Sequence, residues 1–394
     1  MKKVGFIIPW FAENIPGGAE AELRGLVKNL SAFGVAVEVL TTCAEQFQSD
    51  WNINFYPEGM DTAEGVPVRR FPVRKRDSKT FDEINNKLMQ CIPVSIKEED
   101  IFFREMINSP ALYEYIDKHK DEYSLFVFIP YMLGTTYNGC QICPEKSILI
   151  PCLHDESYAY MQRLKEVFPL LRGMIFLAKP EYDLADKLYD LSKVDARVLG
   201  GGVNTNIAGE PARFRKKYGI KEKFIIYAGR KDVGKNVDTL VKYFFAYKIR
   251  NPGNLKLVLL GGGDIFIPHR AKSYIYDLGF VPIQDKYDAY SASLLLCQPS
   301  LNESFSIVIM ESWLCKRPVL VHANCSVTRH FAQESNGGLY FSDYFEFEGC
   351  LNYMQSQPNL ADGMGENGRK FVLENFSWDI IVEKYMDFFR QVSV

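Results

Sequence analysis

Glu303 and Glu311 are separated by seven residues, which are first small and polar and then apolar. Ser304 and Ser306 are residue types that favour helix N-termini, so the sequence predicts a buried helix beginning near Ser306. Glu303 would then lie in the preceding loop and Glu311 about a turn and a half inside the helix, both within reach of one elongated ligand. The amides between them would face an anion. An N-cap loop followed by a solvated helix is the alternative interpretation of the same residues.

A second loop, Gly229–Asn236, contains two glycines and two fixed cations, Arg230 and Lys235, between a predicted strand and a predicted helix. Backbone amides, a helix dipole and two side-chain charges are the groups that hold a diphosphate. The loop is not a Walker A motif, because Asn236 stands where that motif needs a hydroxyl. Together, the two loops predict an anion-binding site in one α/β half of the chain.

Composition limits the class of protein. A chain of 394 residues is long enough for two domains of about 150–200 residues each. Its net charge of −3 argues against nucleic acid as a partner. The sequence has no run of about 18 apolar residues, and the N-terminal apolar segment is predicted to be a first strand, not a signal peptide. Nine cysteines, an odd number, indicate reduced thiols and a cytoplasmic protein.

One group of residues has the side-chain types of a zinc site: Cys140, Cys143, Cys152 and His154. The gap between the two cysteine segments is short for a zinc fold and contains a predicted strand, Ile148–Ile150. We therefore predict no metal, with zinc at these four residues as the alternative.

Alternating strand and helix patterns predict two α/β series. The first begins with strand Lys2–Trp10, turns at Gly17-Gly18 and continues into helix Ala21–Phe33. The glycine pair is either tight-turn geometry or backbone that approaches a substrate, and it is not a dinucleotide fingerprint. The second series follows the glycine-rich stretch 200–204, and within it a short helix is expected near Arg270–Leu278. The predicted domains are 1–203 and 204–375, with a final helix in 376–394.

Two features of the first half have both a structural and a functional interpretation. His154 follows strand Ser147–Ile150, and ligands gather beyond the carboxyl ends of parallel strands, although such a histidine is often structural. The basic residues of 69–79 are ordinarily a solvated surface. Their functional interpretation is contact with an anionic acceptor or with the surface of a membrane.

Taken together, these motifs resemble the retaining glycosyltransferases of family 4, which have the GT-B architecture of two facing Rossmann-like domains with parallel sheets and a C-terminal helix that crosses back. The resemblance is distributed over most of the chain. It rests on Pro16–Glu20, His154–Glu156, Gly202–Asn204, Gly229-Arg230 with Lys235-Asn236, Gly261–Gly263, Glu303 with Glu311, Asn336–Gly338 and Phe376–Trp378.

The resemblance implies a role for each matching residue. Arg230 and Lys235 would neutralise the donor diphosphate, Glu303 would bind hydroxyls of the transferred sugar, and Glu311 would bind those of the ribose. The segment that would cap the phosphate contains Ser304, Phe305, Ser306 and Ile307. In the first half of the chain, the backbone of Gly17 and Gly18 would face the donor, and His154 would lie near its sugar. The backbone at Phe280 would lie near the base. Members commonly have glycine where this chain has Ser306, so Ser306 is expected to influence the choice of donor sugar.

The implied activity is a retaining, metal-independent hexosyl transfer from a UDP-, GDP- or ADP-sugar, with UDP favoured, to a saccharide or polyprenyl-linked acceptor. The product would be a cell-surface polysaccharide or glycoconjugate, and no cofactor is expected. Such transfer requires stabilisation of the leaving group, which Arg230, Lys235 and a helix dipole can supply in place of a metal held by Asp-x-Asp. The alternatives are a nucleotide-sugar epimerase of the same architecture and a non-catalytic nucleotide-sugar-binding protein.

Overall fold

The computed structural model describes residues 2–393. The chain divides into two compact units, Met1–Gly202 with Trp378–Val394, and Val203–Ser377. Each unit is built from a mainly parallel β-sheet with helices in its crossover connections, so the predicted α/β class is confirmed.

Within the described residues, the N-terminal unit has an eight-stranded sheet in the order β3-β4-β2-β1-β5-β6-β7-β8. All neighbouring strands are parallel except β3 and β4, which form an antiparallel hairpin. The strands are β1 Lys3–Ile7, β2 Val37–Thr42, β3 Gly59–Ala63, β4 Val66–Phe71, β5 Tyr123–Phe128, β6 Ser147–Leu149, β7 Gly173–Phe176 and β8 Asp195–Val198. The helices are α1 Gly18–Ala32, α2 Ser78–Met89, α3 Ile96–Glu105, α4 Pro110–His119, α5 Gly134–Gly139, α6 Gln162–Val167 and α7 Lys179–Leu188.

The C-terminal unit has a parallel sheet whose described strands follow the order β11-β10-β9-β12-β13-β14. The strands are β9 Phe224–Ala228, β10 Lys256–Leu260, β11 Ile275–Gly279, β12 Leu296–Gln298, β13 Val319–His322 and β14 Gly338–Phe341. The helices of this unit are α8 Pro211–Tyr218, α9 Val237–Arg250, α10 Ile283–Ala292, α11 Ile307–Leu314, α12 Ser326–Ser335, α13 Tyr344–Ser356 and α14 Pro358–Asn375.

The central strands are buried on both faces, which explains why they are continuous apolar runs in the sequence. Every residue of β2, β5 and β9 is buried. The last helix, α15 Trp378–Val392, packs an apolar face into the N-terminal unit. Trp378 lies so close to Gly25 and Gly202 that a Cβ at either glycine would overlap with the indole ring. These contacts fix the two ends of the N-terminal unit to each other.

Two parts of the chain differ from the sequence-based predictions. The expected helix near Arg270–Leu278 is wrong, because a 3₁₀ turn at His269–Ala271 is followed by strand β11. This strand is at the edge of its sheet and half-exposed, so its residues lack the apolar run of a buried strand. The hairpin of β3 and β4 lies in a stretch where the sequence shows no clear period. Among the described helices, none is long and apolar enough to cross a membrane.

Candidate functional site

The two glutamates lie at the carboxyl edge of the C-terminal sheet, where β9 and β12 are parallel neighbours. Glu303 is in the loop after β12, and its Oε1 lies 2.7 Å from Nζ of Lys235, which belongs to the loop after β9. Nε2 of Gln298 donates to the same carboxylate oxygen at 3.1 Å. The structure therefore brings the predicted cation and the predicted carboxylate into one ion pair.

Glu311 has a matching environment on the helix that follows. Its Oε1 accepts a hydrogen bond from Nζ of Lys286 at 2.7 Å, and the hydroxyl of Tyr290 donates to Oε2 at 3.1 Å. Burial, followed by the charge of Glu311, raises the pKa of Tyr290 well above its ordinary value, so the phenol stays protonated and donates. Each glutamate is thus held in place by hydrogen bonds from one lysine and one neutral donor.

Sequence reasoning did not identify Lys286 or Tyr290. They lie on α10, four positions apart and therefore on one face of the helix. That spacing of a cation and a phenol on an otherwise polar helix was the signal that could have found them. Their partnership with Glu311 requires the packing of α10 against α11, which the sequence does not specify.

The loop after β9 is compact because glycines bring its backbone against the next loop. A Cβ at Gly261, where φ is +116°, would overlap with the carbonyl of Gly229. Lys231, which the sequence analysis passed over, is buried and donates to Oδ1 of Asp277 at 2.5 Å. Arg230 points the other way: its side chain is half-exposed, and its nearest carboxylate is Asp232, at 3.4 Å. Of these two neighbouring cations, Lys231 is therefore anchored within the protein, whereas Arg230 is exposed to solvent.

Ser306 precedes α11 in a left-handed conformation, with φ of 69°. The predicted helix does begin here, at Ile307, but the hydroxyl of Ser306 makes no capping hydrogen bond and is buried without a partner. Oε1 of Gln298 and Oγ of Ser300 are also buried and unpartnered in the same connection between β12 and α11. A run of unsatisfied polar atoms beside Glu303 is suited to a polar ligand.

The residues around Ser306 differ in their exposure. Phe305 is buried, and its ring packs on those of Phe331 and Phe376 at centroid distances of 5.6 and 5.2 Å. Ser304 is half-buried beside it, and Ile307 is the first residue of α11. The phenyl ring of Phe305 therefore anchors the loop, and this segment can offer a ligand its backbone amides and serine hydroxyls. Phe280, just after β11, is 85% exposed.

The glycine pair of the N-terminal unit begins α1, immediately after the loop that follows β1. Gly17 has φ of 142°, and a Cβ there would overlap with the carboxylate of Glu20. Glu20 in turn accepts a hydrogen bond from the indole of Trp10 at 2.5 Å. At Gly18, by contrast, nothing lies within 4 Å of an added Cβ. Gly17 is needed for the turn itself, whereas Gly18 borders open space.

His154 follows β6 in the N-terminal unit, and its Nδ1 lies 3.5 Å from Oε1 of Glu156. The hydroxyl of Tyr131 donates to the same oxygen at 3.0 Å. Burial acts to raise the pKa of the Glu156 carboxyl, but the contacts from His154 and Tyr131 outweigh burial and hold this pKa below its ordinary value. The carboxylate therefore orients a half-buried imidazole.

The cysteine group does not form a ligand set. Within the part of the chain that the structure describes, no three His, Cys, Asp or Glu side chains are placed to hold one metal ion. Cys140 and Cys143 are buried, and burial raises the pKa of both thiols, to about 11 for Cys143, which disfavours the thiolate that zinc requires. Zinc at these residues is not supported.

The arginines of 69–79 are largely engaged within the protein. Arg69 pairs with Glu38, Arg70 with Asp61 and Arg74 with Glu105. Arg76 lies over the rings of Trp51 and Phe81. Lys75 and Lys79 are exposed. Much of the positive charge that the sequence shows here is therefore used to hold the N-terminal unit together.

Two α/β units, each with a mainly parallel sheet, are the architecture of the GT-B class of proteins. Solved structures agree with this class. Sucrose-phosphate synthase from Thermosynechococcus elongatus superposes with a TM-score of 0.73 at 17% identity, covering 100% of this chain and 99% of that one. Anabaena HepE, solved in complex with UDP-glucose, superposes with a TM-score of 0.69 at 14% identity, covering 99% of this chain and 100% of that one. At these identities, the likeness concerns the fold.

Sequence comparison identifies a family domain in the C-terminal unit. Residues 211–371 match the model of the family Glycosyl transferases group 1. An uncharacterized glycosyltransferase of Methanocaldococcus jannaschii is 25% identical over 52% of this chain and 56% of its own length. A D-inositol 3-phosphate glycosyltransferase of Saccharomonospora viridis is 22% identical over 95% of this chain and 89% of its own. The alignment thus spans only about half of the archaeal relative. Residues 211–371 therefore correspond to a glycosyltransferase domain, in agreement with the predicted class.

Proposed function

We propose that the protein is a retaining glycosyltransferase that moves a hexosyl group from a nucleotide-diphosphate sugar to a hydroxyl of a saccharide or lipid-linked glycan. The observation that carries this proposal is the paired arrangement of Glu303 with Lys235 and Glu311 with Lys286 around the start of α11. Two oriented carboxylates are acceptors for two sets of hydroxyls, and the cations and helix amides between them suit a diphosphate.

In this proposal each group has one task. Arg230 and Lys235 take the diphosphate, together with the amides of Ser306 and Ile307. Glu303 accepts hydroxyls of the transferred sugar, and Glu311 accepts those of the ribose. The half-exposed Arg230 is free to reach a ligand, whereas the buried Lys231 fixes its loop through Asp277. The base would stack or bond near Phe280, and Gly18 and His154 would contribute from the N-terminal unit.

The chemistry follows from the charges. As the bond from the anomeric carbon to the phosphate oxygen breaks, negative charge develops on the diphosphate, and Arg230 and Lys235 stabilise it. The acceptor oxygen forms the new bond on the same face of the sugar, and its proton passes to the departing phosphate oxygen. Glu303, bound to hydroxyls, stays an acceptor throughout. This course retains the anomeric configuration and requires no protein base, and the fixed cations perform the role that a metal has elsewhere.

UDP is the favoured nucleotide. Structural neighbours were solved with UDP, with UDP-glucose and with UDP-2-fluoro glucose, which supports a UDP-hexose donor here. Contact of residues 69–79 with a membrane remains a prediction, and among the cations of that segment Lys75 and Lys79 are the exposed ones.

The experiment is a donor screen with the isolated protein, in which release of nucleotide diphosphate is measured from UDP-, GDP- and ADP-hexoses with and without EDTA. We expect acceptor-dependent release of UDP that EDTA leaves unchanged and a product whose anomer, read by NMR, matches the donor. Lys235→Ala should lower kcat by about 100-fold or more. Lys242→Ala, a change of an exposed lysine on α9, is the matched control.

Each other result would reject a stated part of the proposal. Strict dependence on a divalent metal would overturn metal independence. Release of UDP and of an epimerised free sugar without acceptor would identify an epimerase. Tight nucleotide-sugar binding with no turnover toward any acceptor would identify a binding protein. Failure to bind any nucleotide sugar would reject the proposal that the residues around the start of α11 form a donor site.

A further inference from the structure

The N-terminal unit contains a cavity of about 460 Å³ that no role assigned above uses. It lies beside the loops that follow β1 and β2, and its lining includes Glu13, Asn14, Glu45, Gln46, Phe55 and Arg70. Because loops at the carboxyl ends of parallel strands are where α/β sheets bind ligands, the position is that of a binding site. The hairpin of β3 and β4, absent from the sequence-based prediction, forms another wall through Asp61–Ala63.

The lining has the chemistry of a saccharide site. The carboxylates of Glu13 and Glu45 and the side-chain amides of Asn14 and Gln46 make no hydrogen bond or ion pair within residues 2–393. Such groups accept from and donate to neighbouring hydroxyls of a sugar ring. Phe55, 57% exposed, adds an open ring, and the apolar face of a sugar packs on such a surface.

At the base of the cavity, Arg70 is held in place by its neighbours. Arg70 is 2% exposed, and its Nε and Nη2 donate to Oδ2 of Asp61 at 3.0 and 2.9 Å. The guanidinium lies 4.2 Å from the centre of the Tyr56 ring. Its Nη1 is buried and has no partner. A buried arginine with one unused donor, fixed on two sides, is typical of a preformed polar site.

Charge decides which saccharides fit. Arg70 is neutralised by Asp61, so the two unpaired carboxylates, Glu13 and Glu45, leave the cavity negative. A phosphorylated or otherwise anionic acceptor would face like charges there, and this repulsion would weaken its binding. Neutral sugars and amino sugars would not. This proposal differs from the anionic acceptor that the basic residues of 69–79 suggest in the sequence, because Arg70 is paired with Asp61.

We propose that this cavity binds the acceptor of the transfer reaction and that the acceptor is a neutral or amino-bearing saccharide with no phosphate on the bound ring. This proposal rests on the proposed transferase function, because the bound saccharide is an acceptor only if the protein catalyses the transfer. The site itself rests on the cavity.

The test is a binding titration of the full chain, without nucleotide sugar, by saturation-transfer NMR. The probes are maltose, glucosamine and glucose 6-phosphate. We expect the first two to bind and the phosphate to bind at least about tenfold more weakly, since it brings a charge against two carboxylates. The double variant Glu13→Gln/Glu45→Gln should weaken binding of glucosamine and reduce the discrimination against glucose 6-phosphate. Phe55→Ala should weaken binding of maltose.

Glu83→Gln, at an exposed position on α2, is the matched control and should change none of these values. Tighter binding of glucose 6-phosphate than of the other two sugars would overturn the proposal, and so would a double variant that binds all three as the natural chain does. Saccharide binding that depends on Glu13 and Glu45, in a protein that turns over no nucleotide sugar, would keep this site and reject the transfer reaction.

Discussion

The ammonium group of Lys286 lies 2.7 Å from Oε1 of Glu311, which repeats on α10 and α11 the distance between Lys235 and Glu303. Glu311 is nearly buried, with 8% of its side chain exposed. A buried carboxylate is costly unless it is paired, so the contact with Lys286 orients Glu311 where nucleotide hydroxyls are expected. Under the proposed function, Lys286 would position the nucleotide through Glu311.

The first prediction concerns this lysine. Lys286→Met should raise the Kd of UDP by about tenfold, because Glu311 loses its strongest hydrogen bond. Isothermal titration with UDP measures the effect, and Lys242→Met is the control. A variant with an unchanged Kd but a lower unfolding temperature would show that the pair only supports the fold.

A second prediction follows from the backbone of Ser306. A residue other than glycine in a left-handed conformation carries strain of about 1 kcal/mol, and the buried hydroxyl of Ser306 lacks a partner. Ser306→Gly should therefore stabilise the protein by about 1 kcal/mol, after allowance for the greater freedom of glycine in the unfolded chain. Chemical denaturation measures this change.

Ser304→Gly is the control, because Ser304 is not in the left-handed region, and it should lose stability. Removing the side chain of Ser306 should also widen the range of UDP-hexoses accepted. A less stable Ser306→Gly protein would contradict the strain argument. An unchanged donor range would show that Ser306 does not select the sugar.

How far the sequence predicts this structure depends on how local each signal is. Strands β9 and β10 can be recognised as apolar runs in the sequence, because strands buried on both faces leave an unbroken pattern. Lys235 and Glu303 are recognisable because each lies in a glycine- or serine-rich loop next to such a strand. Strand β3 and Lys286 are different: the former is largely exposed, and the latter acquires its role only through the packing of two helices.

A third prediction concerns pH. Glu22 of α1 is buried, and burial raises the pKa of its carboxyl from 4.5 to about 8, although the amide of Gly202 donates to it at 3.2 Å. Between these two values the folded protein holds a proton that the unfolded chain has released. The stabilisation that protonated Glu22 adds is therefore fully present below pH 4.5 and is lost as the pH rises through 8. Over this range the free energy of unfolding falls by at most about 1.4 kcal/mol per pH unit because of Glu22.

Glu22→Gln is neutral at every pH, so the variant should lose part of this slope and exceed the natural chain in stability at pH 8–9. Thermal unfolding from pH 5 to pH 9 measures both curves. Burial also raises the pKa of Glu181 to about 8, so Glu181 adds a slope of the same sign. Parallel curves for the natural chain and Glu22→Gln would show that Glu22 is ionised in the folded protein.

The last prediction uses two adjacent glycines as each other's control. Gly17→Ala places a methyl group against the carboxylate of Glu20 at a φ of 142°, which disturbs the bond from Trp10 to Glu20. It should cost about 2 kcal/mol of unfolding free energy. Gly18→Ala meets nothing within 4 Å and lies at the first position of α1, so the fold should tolerate it.

If the backbone at Gly18 approaches the donor, Gly18→Ala will raise KM for the UDP-sugar about tenfold while the unfolding temperature stays unchanged. The main effect of Gly17→Ala, by contrast, will be a lower unfolding temperature. Thermal unfolding and initial rates, measured on both variants, separate the two effects. A Gly18→Ala enzyme with unaltered KM would place the donor away from this turn and leave Gly18 as a helix-start residue only, since the open space beside it would then have no ligand to accommodate.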